Sequence, residues 1–210
     1  MIVNTKKPGL GLYVLTLILG LSLSFGISTA KAADGKHEQF VQNLGEEALS
    51  ALASDDMTEE KIAKEIQGWL SNYFDTPTIA RFALGRYWRQ ASDSQKKEYV
   101  VLFKDLIVQT YSKRLEEYSG EKFKVMGHTK ASDRDTIVHS KILPADDKGP
   151  TTQVDWRVRS SNGKLKIIDV IVEGVSMSVT QRSDFSSVIQ KGGGRIDALL
   201  TSLRKKTENG

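Results

Sequence analysis

The chain has 210 residues, with 30 basic and 26 acidic side chains and no cysteine. Without cysteine it has neither a disulfide framework nor a cysteine-linked lipid anchor, so packing alone must stabilise the fold. The formal net charge is only +4, and no basic cluster stands out beyond Arg204-Lys205-Lys206, which argues against a nucleic-acid-binding protein.

The first 32 residues have the order of a secretory signal peptide. Two lysines precede an uncharged, mostly apolar stretch over 10–27, and Ala30-Lys31-Ala32 has the small-x-small form that signal peptidase cleaves. We expect cleavage after Ala32 and export to a bacterial periplasm, which leaves residues 33–210 as a single domain. An uncleaved membrane anchor is the alternative, because about 18 uncharged residues can just span a bilayer.

Four helices are predicted next, because apolar residues recur at spacings of three and four. Thr58 followed by two glutamates is typical of an N-cap, and Pro77 suits a first helical turn. Ser92 and Gln95 have the spacing of a capping box. We expect these helices over residues 40–52, 58–74, 76–85 and 92–118.

The following part of the chain changes to the period of strands, with Val, Ile, Phe and Trp interleaved with polar residues. Short turn-forming stretches separate four such segments, which predicts an antiparallel meander over 122–126, 136–143, 153–159 and 165–172. Two further helices are predicted over 182–190 and 195–205. Helices followed by strands, without alternation of the two, indicate an α+β domain. We expect the helical N-terminal half and the C-terminal helices to surround a four-stranded antiparallel sheet.

Motifs for catalysis or metal binding are not recognisable. His37, His128 and His139 lie far apart and in no ligand spacing, so we expect no metal site. Gly192-Gly193-Gly194 follows a predicted helix and lacks the Gly-Lys-Ser/Thr of a phosphate-binding loop. No Gly-x-Ser-x-Gly motif is present. We therefore expect no catalytic residue, no cofactor and no enzymatic activity.

Two acids near the last predicted strand could still serve as general bases. Strand alternation places Asp169 and Glu173 on one side of the sheet, and Ile168, Val170 and Val172 on the other. The simpler interpretation is a sheet with one polar and one apolar face. A carboxylate inside an apolar cavity would favour an enzyme instead.

The fourth helix is apolar on more than one side. One stripe contains Tyr99, Leu102, Phe103, Leu106, Tyr111 and Leu115, while Val100, Val101, Ile107 and Val108 extend the apolar surface around the helix. A helix that is apolar on most sides is buried on most sides. It is either a central core helix or a helix that also lines a cavity for an apolar ligand.

Two blocks of the sequence resemble a known family. The first block contains Phe74-Asp75 and Ala80-Arg81-Phe82-Ala83-Leu84-Gly85-Arg86-Tyr87-Trp88, and Gln95-Lys96-Lys97-Glu98-Tyr99 continues it. The second contains Asp169-Val170 and Glu173-Gly174-Val175-Ser176-Met177, followed by Arg182-Ser183 and Phe185. Together they are similar to the MlaC family of periplasmic phospholipid-transport proteins, also known as toluene-tolerance proteins.

The resemblance implies a fold in which helices and a curved sheet enclose a hydrophobic pocket for acyl chains. It also implies a soluble carrier that shuttles phospholipid between an outer-membrane lipoprotein complex and an inner-membrane ABC transporter complex, which maintains outer-membrane lipid asymmetry. From the strand faces and the resemblance together, we expect the lipid-binding residues to be Trp88, Leu102, Leu106, Val170, Val172, Val175 and Met177.

Two departures from the family pattern leave the cargo open. Leu165 stands where many members have Trp, and residues 118–121 and 180–185 are closer to the hopanoid-associated HpnM branch. A carrier of hopanoid-type lipids is therefore one alternative. Another is a periplasmic adaptor without lipid cargo, which would present an open apolar patch instead of an enclosed pocket.

Overall fold

The computed structural model describes residues 35–208, except Asp55 and Asp147. The predicted signal peptide lies outside these residues. Within the described range, no helix combines the length and the apolar character needed to cross a membrane.

Three helices of the N-terminal half begin with hydrogen-bonded caps, whereas the first helix begins at Lys36, four residues before its predicted start at residue 40. Thr58 accepts a hydrogen bond from the backbone N–H of Lys61, and Asp75 accepts one from Thr78. Ser92 and Gln95 form both hydrogen bonds of a capping box. The elements are α1 (Lys36–Leu52), α2 (Glu59–Tyr73), α3 (Thr76–Leu84), a 3-10 helix (Gly85–Arg89) and α4 (Asp93–Leu115).

One antiparallel sheet follows, with its strands in chain order from β1 to β5. They are β1 (Lys122–Lys130), β2 (Asp135–Leu143), β3 (Thr152–Ser161), β4 (Lys164–Val172) and β5 (Val175–Ser176). The predicted α+β class and the antiparallel meander are confirmed, but the predicted count of four strands was wrong. The fifth strand has only two residues, too few for a recognisable alternating pattern.

The chain ends with α5 (Met177–Lys191) and α6 (Ile196–Glu208). The sequence predicted the start of α5 five residues too late, because Val175 and Val179 have the character of strand residues. The hydroxyl of Ser176 caps the helix by accepting a hydrogen bond from the N–H of Val179.

A β-bulge changes the predicted alternation along β4. Val158 faces Ile167 and Arg157 faces Asp169, so Ile168 has no partner on β3. Ile167 is fully buried. Therefore the regular alternation that placed Ile168 with Val170 and Val172 does not continue through the bulge, and Ile167 takes the buried position.

The apolar interior consists of two clusters. Cluster 1 lies among α3, the 3-10 helix, α4, α5 and α6, with Tyr99, Phe103 and Phe185 in mutual aromatic contact. Cluster 2 lies between the sheet and helices α1, α2 and α4. Its buried residues are Val41, Leu44, Ile62, Ile66, Trp69, Leu70, Val108, Val138, Val158 and Ile167.

Helix α4 connects the two clusters. Its N-terminal half contributes Tyr99 and Phe103 to cluster 1, and its C-terminal half contributes Val108 to cluster 2. Among the residues that the structure describes, Ile107 is the one partly buried side chain that packs against both. Helix α4 is thus a central helix whose apolar residues are buried at different points by different neighbours, except for the exposed Val101.

Candidate functional site

The seven predicted lipid-binding residues occupy three regions of the fold. Trp88, Leu102 and Leu106 are partly buried and pack against cluster 1. Val170 packs against cluster 2, where it lies opposite Trp156 of β3. The remaining three lie at and beyond the end of β4 and are Val172, Val175 and Met177.

The two apolar regions come close to each other along α4. Leu106 and Ile107 are neighbours on this helix, and Ile107 also packs against cluster 2. Leu102, Leu106 and Ile107 on α4, and Val170 on β4, are partly buried rather than fully buried. Apolar side chains that are not fully buried are available to line a site for an apolar ligand.

The turn after β4 presents apolar side chains at the surface. Val172 pairs with Val175, and Val175 is 53% exposed. Val179, one turn into α5, is also exposed. Val175 lies in β5 and Val179 in the first turn of α5, so the two exposed side chains lie on either side of the Ser176 cap. We call Val175 and Val179 the mouth region, because Val175 is one of the predicted lipid-binding residues.

Asp169 and Glu173, the two candidate general bases, have structural partners instead. The carboxylate of Asp169 accepts hydrogen bonds from the Ser176 hydroxyl, at 2.6 Å, and from the Ser178 N–H, at 3.1 Å. The carboxylate of Glu173 accepts one from the N–H of Gln153. Asp169 therefore stabilises the N-terminus of α5, and Glu173 stabilises the turn in which it lies.

The histidines of the sheet pair with carboxylates on separate elements. Nδ1 of His128 lies 2.7 Å from Glu38, and Nδ1 of His139 lies 3.0 Å from Asp155. Each pair joins two neighbouring elements of the fold. Among the described residues, no three His, Asp or Glu side chains come together as they would in a metal site.

The structure adds a pocket that the sequence analysis did not recognise. It has a volume of about 590 Å³ and lies between α3, the 3-10 helix, β3 and α5. Five of its nine lining residues are arginines: Arg81, Arg86, Arg89, Arg159 and Arg182. Phe82 and Trp88 provide its aromatic walls, and Thr78 and Gly85 complete it. We call it the arginine pocket.

Only one of these arginines has a carboxylate partner among the described residues. Arg159 donates two hydrogen bonds to Asp135, at 2.8 and 2.9 Å. These hydrogen bonds hold the pKa of the Asp135 carboxyl below its usual value. The spacing of Arg81, Arg86 and Arg89 was the available sequence signal. Arg159 and Arg182 could not be assigned to the same place without the tertiary fold.

Comparison with known proteins agrees with this architecture. The family model described as "MlaC protein" matches residues 42–205. The intermembrane phospholipid transport system binding protein MlaC of Haemophilus influenzae is 24% identical over 172 residues, which cover 77% of this chain and 79% of that protein.

A solved structure has the same fold. The phospholipid-binding protein from Ralstonia solanacearum, determined in complex with a phospholipid, superposes with a TM-score of 0.70 and 22% sequence identity. The match covers 81% of this chain and 96% of the Ralstonia chain. Since the family model spans most of the sequence and the fold agrees, this chain belongs to the MlaC family.

Proposed function

We propose that this protein is a soluble periplasmic carrier that holds the acyl chains of a phospholipid in its apolar interior. It would shuttle the lipid between an outer-membrane lipoprotein complex and an inner-membrane ABC transporter complex. The observation that carries this proposal is that α4 contacts both apolar clusters through Ile107, while its neighbours Leu102 and Leu106 are only partly buried. The similarity to the phospholipid transport system binding protein of Haemophilus influenzae and to the phospholipid-binding protein of Ralstonia solanacearum supports it.

The energetics of lipid transfer favour an apolar interior over a few polar contacts. A diacyl lipid with about 30 methylenes costs on the order of 24 kcal/mol to expose to water, at ~0.8 kcal/mol for each methylene. A carrier must offset nearly all of this by burying the chains. We propose that the chains enter past Val175 and Met177 and lie against Trp88, Leu102, Leu106, Val170 and Val172.

Binding without catalysis fits the positions of the acids. Asp169 and Glu173 are engaged by backbone N–H groups and hydroxyls at a helix start and a turn. A general base has to be free to take a proton from a substrate. We therefore propose a transport role that leaves the lipid chemically unchanged.

The experiment that tests the function is native mass spectrometry of the protein purified from the periplasm after expression of the full chain. We expect one stoichiometric lipid, identified as a phospholipid after organic extraction, on a polypeptide that starts at Ala33. A polycyclic lipid in the extract would instead indicate that the protein carries hopanoid-type lipids. An empty protein that also takes up no lipid from phospholipid vesicles would contradict the carrier and favour a protein-binding adaptor.

A further inference from the structure

The arginine pocket concentrates positive charge on the side of the sheet away from cluster 2. Arg159 follows the fully buried Val158 on β3, so its side chain projects from the opposite face of that strand. The packing of α3 against α5 brings Arg182 to the same place as Arg81 and Arg86. The guanidinium groups thus come from the consecutive α3 and 3-10 helix and from β3 and α5, which are distant from them in sequence.

This charge is not neutralised within the described part of the chain. Asp135 pairs with Arg159, whereas Arg81, Arg86, Arg89 and Arg182 have no salt bridge to any described carboxylate. No acidic residue lines the pocket. Like charges that converge in one pocket repel one another, so the arrangement is unfavourable until an anion occupies it. Guanidinium groups bind the oxygens of phosphate in pairs of parallel hydrogen bonds.

Two of the guanidinium groups are held in place by their neighbours. The Arg182 guanidinium lies over the ring of Phe82, with its carbon 5.4 Å from the ring centroid. Arg86 lies over the ring of Tyr87 at 4.9 Å and donates a hydrogen bond of 2.9 Å to the Tyr87 hydroxyl. Side chains that are already oriented lose less conformational entropy when they bind a ligand.

The pocket also adjoins the apolar interior. Trp88 lines the pocket and packs against cluster 1, where Leu102 and Leu106 lie. The exposed Phe82 lies beside Arg182, which is one helical turn from the exposed Val179 of the mouth region. An anionic group in the pocket would therefore have apolar surface on two sides, which is the environment that an amphiphile requires.

We propose that the arginine pocket binds the phosphate group of the lipid that the protein carries, with Arg86 and Arg182 as its main ligands. This inference rests on the proposed function and names the part of the molecule that recognises the headgroup. The recognised chemistry is a phosphate monoester or diester. Selectivity for phosphate-bearing lipids over neutral diacyl lipids would follow from it.

The first test measures phosphate binding without acyl chains. Glycerol 3-phosphate is titrated into the lipid-free protein by isothermal titration calorimetry, and the double variant Arg86→Gln/Arg182→Gln is compared with Arg195→Gln. Arg195 is exposed and lies outside the pocket, so its substitution removes an arginine charge as a matched control. We expect the double variant to bind about tenfold more weakly or not at all, and Arg195→Gln to bind as the wild type does. Equal binding by all three proteins, or by none, would overturn the phosphate site.

The second test distinguishes a lipid headgroup from free phosphate. Wild type and double variant are incubated with phosphatidylglycerol vesicles that contain diacylglycerol with the same acyl chains, and the captured lipids are extracted and identified. We expect the wild type to select phosphatidylglycerol and the double variant to capture both lipids without selection. Lipid selection that is unchanged in the double variant would overturn the headgroup assignment while the carrier function stands. Failure of the wild type to capture either lipid would contradict the carrier function itself.

Discussion

Gly85 leaves the space that the guanidinium of Arg182 occupies. A Cβ atom at position 85 would lie 2.8 Å from Nε of Arg182, and the backbone of Gly85 has φ +58° and ψ −130°. Side chains other than hydrogen are strongly disfavoured at these angles. Gly85 thus allows the backbone to bend between α3 and the 3-10 helix. It also leaves space for the Arg182 side chain in the arginine pocket.

We predict that Gly85→Ala lowers the free energy of unfolding by about 1–3 kcal/mol, because Ala is strained at these backbone angles. It should also weaken glycerol 3-phosphate binding, because Arg182 has to move away. Gly68→Ala is the matched control, since a Cβ at this position within α2 meets no atom within 4 Å. That variant should be stabilised by about 0.5–1 kcal/mol. Urea unfolding of both variants checks the prediction, and a Gly85→Ala protein as stable as the wild type would contradict it.

We predict that Asp135→Asn lowers the free energy of unfolding by about 2 kcal/mol near neutral pH, because the buried carboxylate loses its charged hydrogen bonds to Arg159. Arg159 lowers the pKa of the Asp135 carboxyl in the folded state. The stabilisation is therefore fully present above the unfolded pKa of about 3.9 and is lost as the pH falls through the lower folded value. Urea unfolding of wild type and variant as a function of pH should show the difference shrinking in acid.

Asp133→Asn is the matched control, because it removes a carboxylate that is exposed instead of buried. Asp133 has 98% of its side chain exposed and pairs with Lys130 at 3.1 Å. Exposed pairs of this kind contribute about 0.2–1 kcal/mol. A cost for Asp133→Asn as large as that for Asp135→Asn would show that the buried pair has no special role.

We predict that Asp169→Ala lowers the free energy of unfolding by about 1–2 kcal/mol, because the N-terminus of α5 loses the acceptor for Ser178 N–H and the Ser176 hydroxyl. Asp184→Ala, at an exposed position of the same helix, should change it by less than about 0.5 kcal/mol. Thermal or urea unfolding separates the two variants. If Asp169→Ala were as stable as the wild type, Asp169 would not stabilise the N-terminus of α5, which would contradict the prediction.

We predict that Val175→Glu abolishes lipid co-purification and leaves the fold intact. Val175 is 53% exposed, so a charged side chain is tolerated there, but it would lie at the proposed entrance for acyl chains. Val101→Glu is the matched control, because Val101 is 59% exposed on α4 and is not among the predicted lipid-binding residues. Native mass spectrometry should find lipid on the control alone, with circular dichroism unchanged in both. Lipid retained by Val175→Glu at wild-type stoichiometry would contradict the assignment.

Local signals predicted much of the fold correctly. The predicted caps at Thr58 and Ser92 are hydrogen-bonded in the structure, and the four main strands lie where the alternating segments were. These features depend on residues within four positions of one another, or on a repeat along a single strand. The interactions that stabilise them can therefore be predicted from a short stretch of sequence.

Errors occurred where neighbouring elements decide the conformation. The bulge at Ile168 depends on pairing with β3, and the two-residue strand β5 depends on pairing with the end of β4. The predicted lipid-binding residues remain a prediction. The structure places Trp88, Leu102 and Leu106 at one cluster, and Val170 at the other.

The sequence by itself determined the α+β class, the main helices and strands, the absence of disulfides and the resemblance to the MlaC family. Tertiary structure alone decided that Arg159 and Arg182 join the arginines of the 81–89 segment, and that α4 lies between two apolar clusters. Helix caps and alternation arise from contacts that are local along the chain. A pocket built from four elements depends on how α3, α5 and β3 pack, and that arrangement is set by the free energy of burying the whole apolar interior.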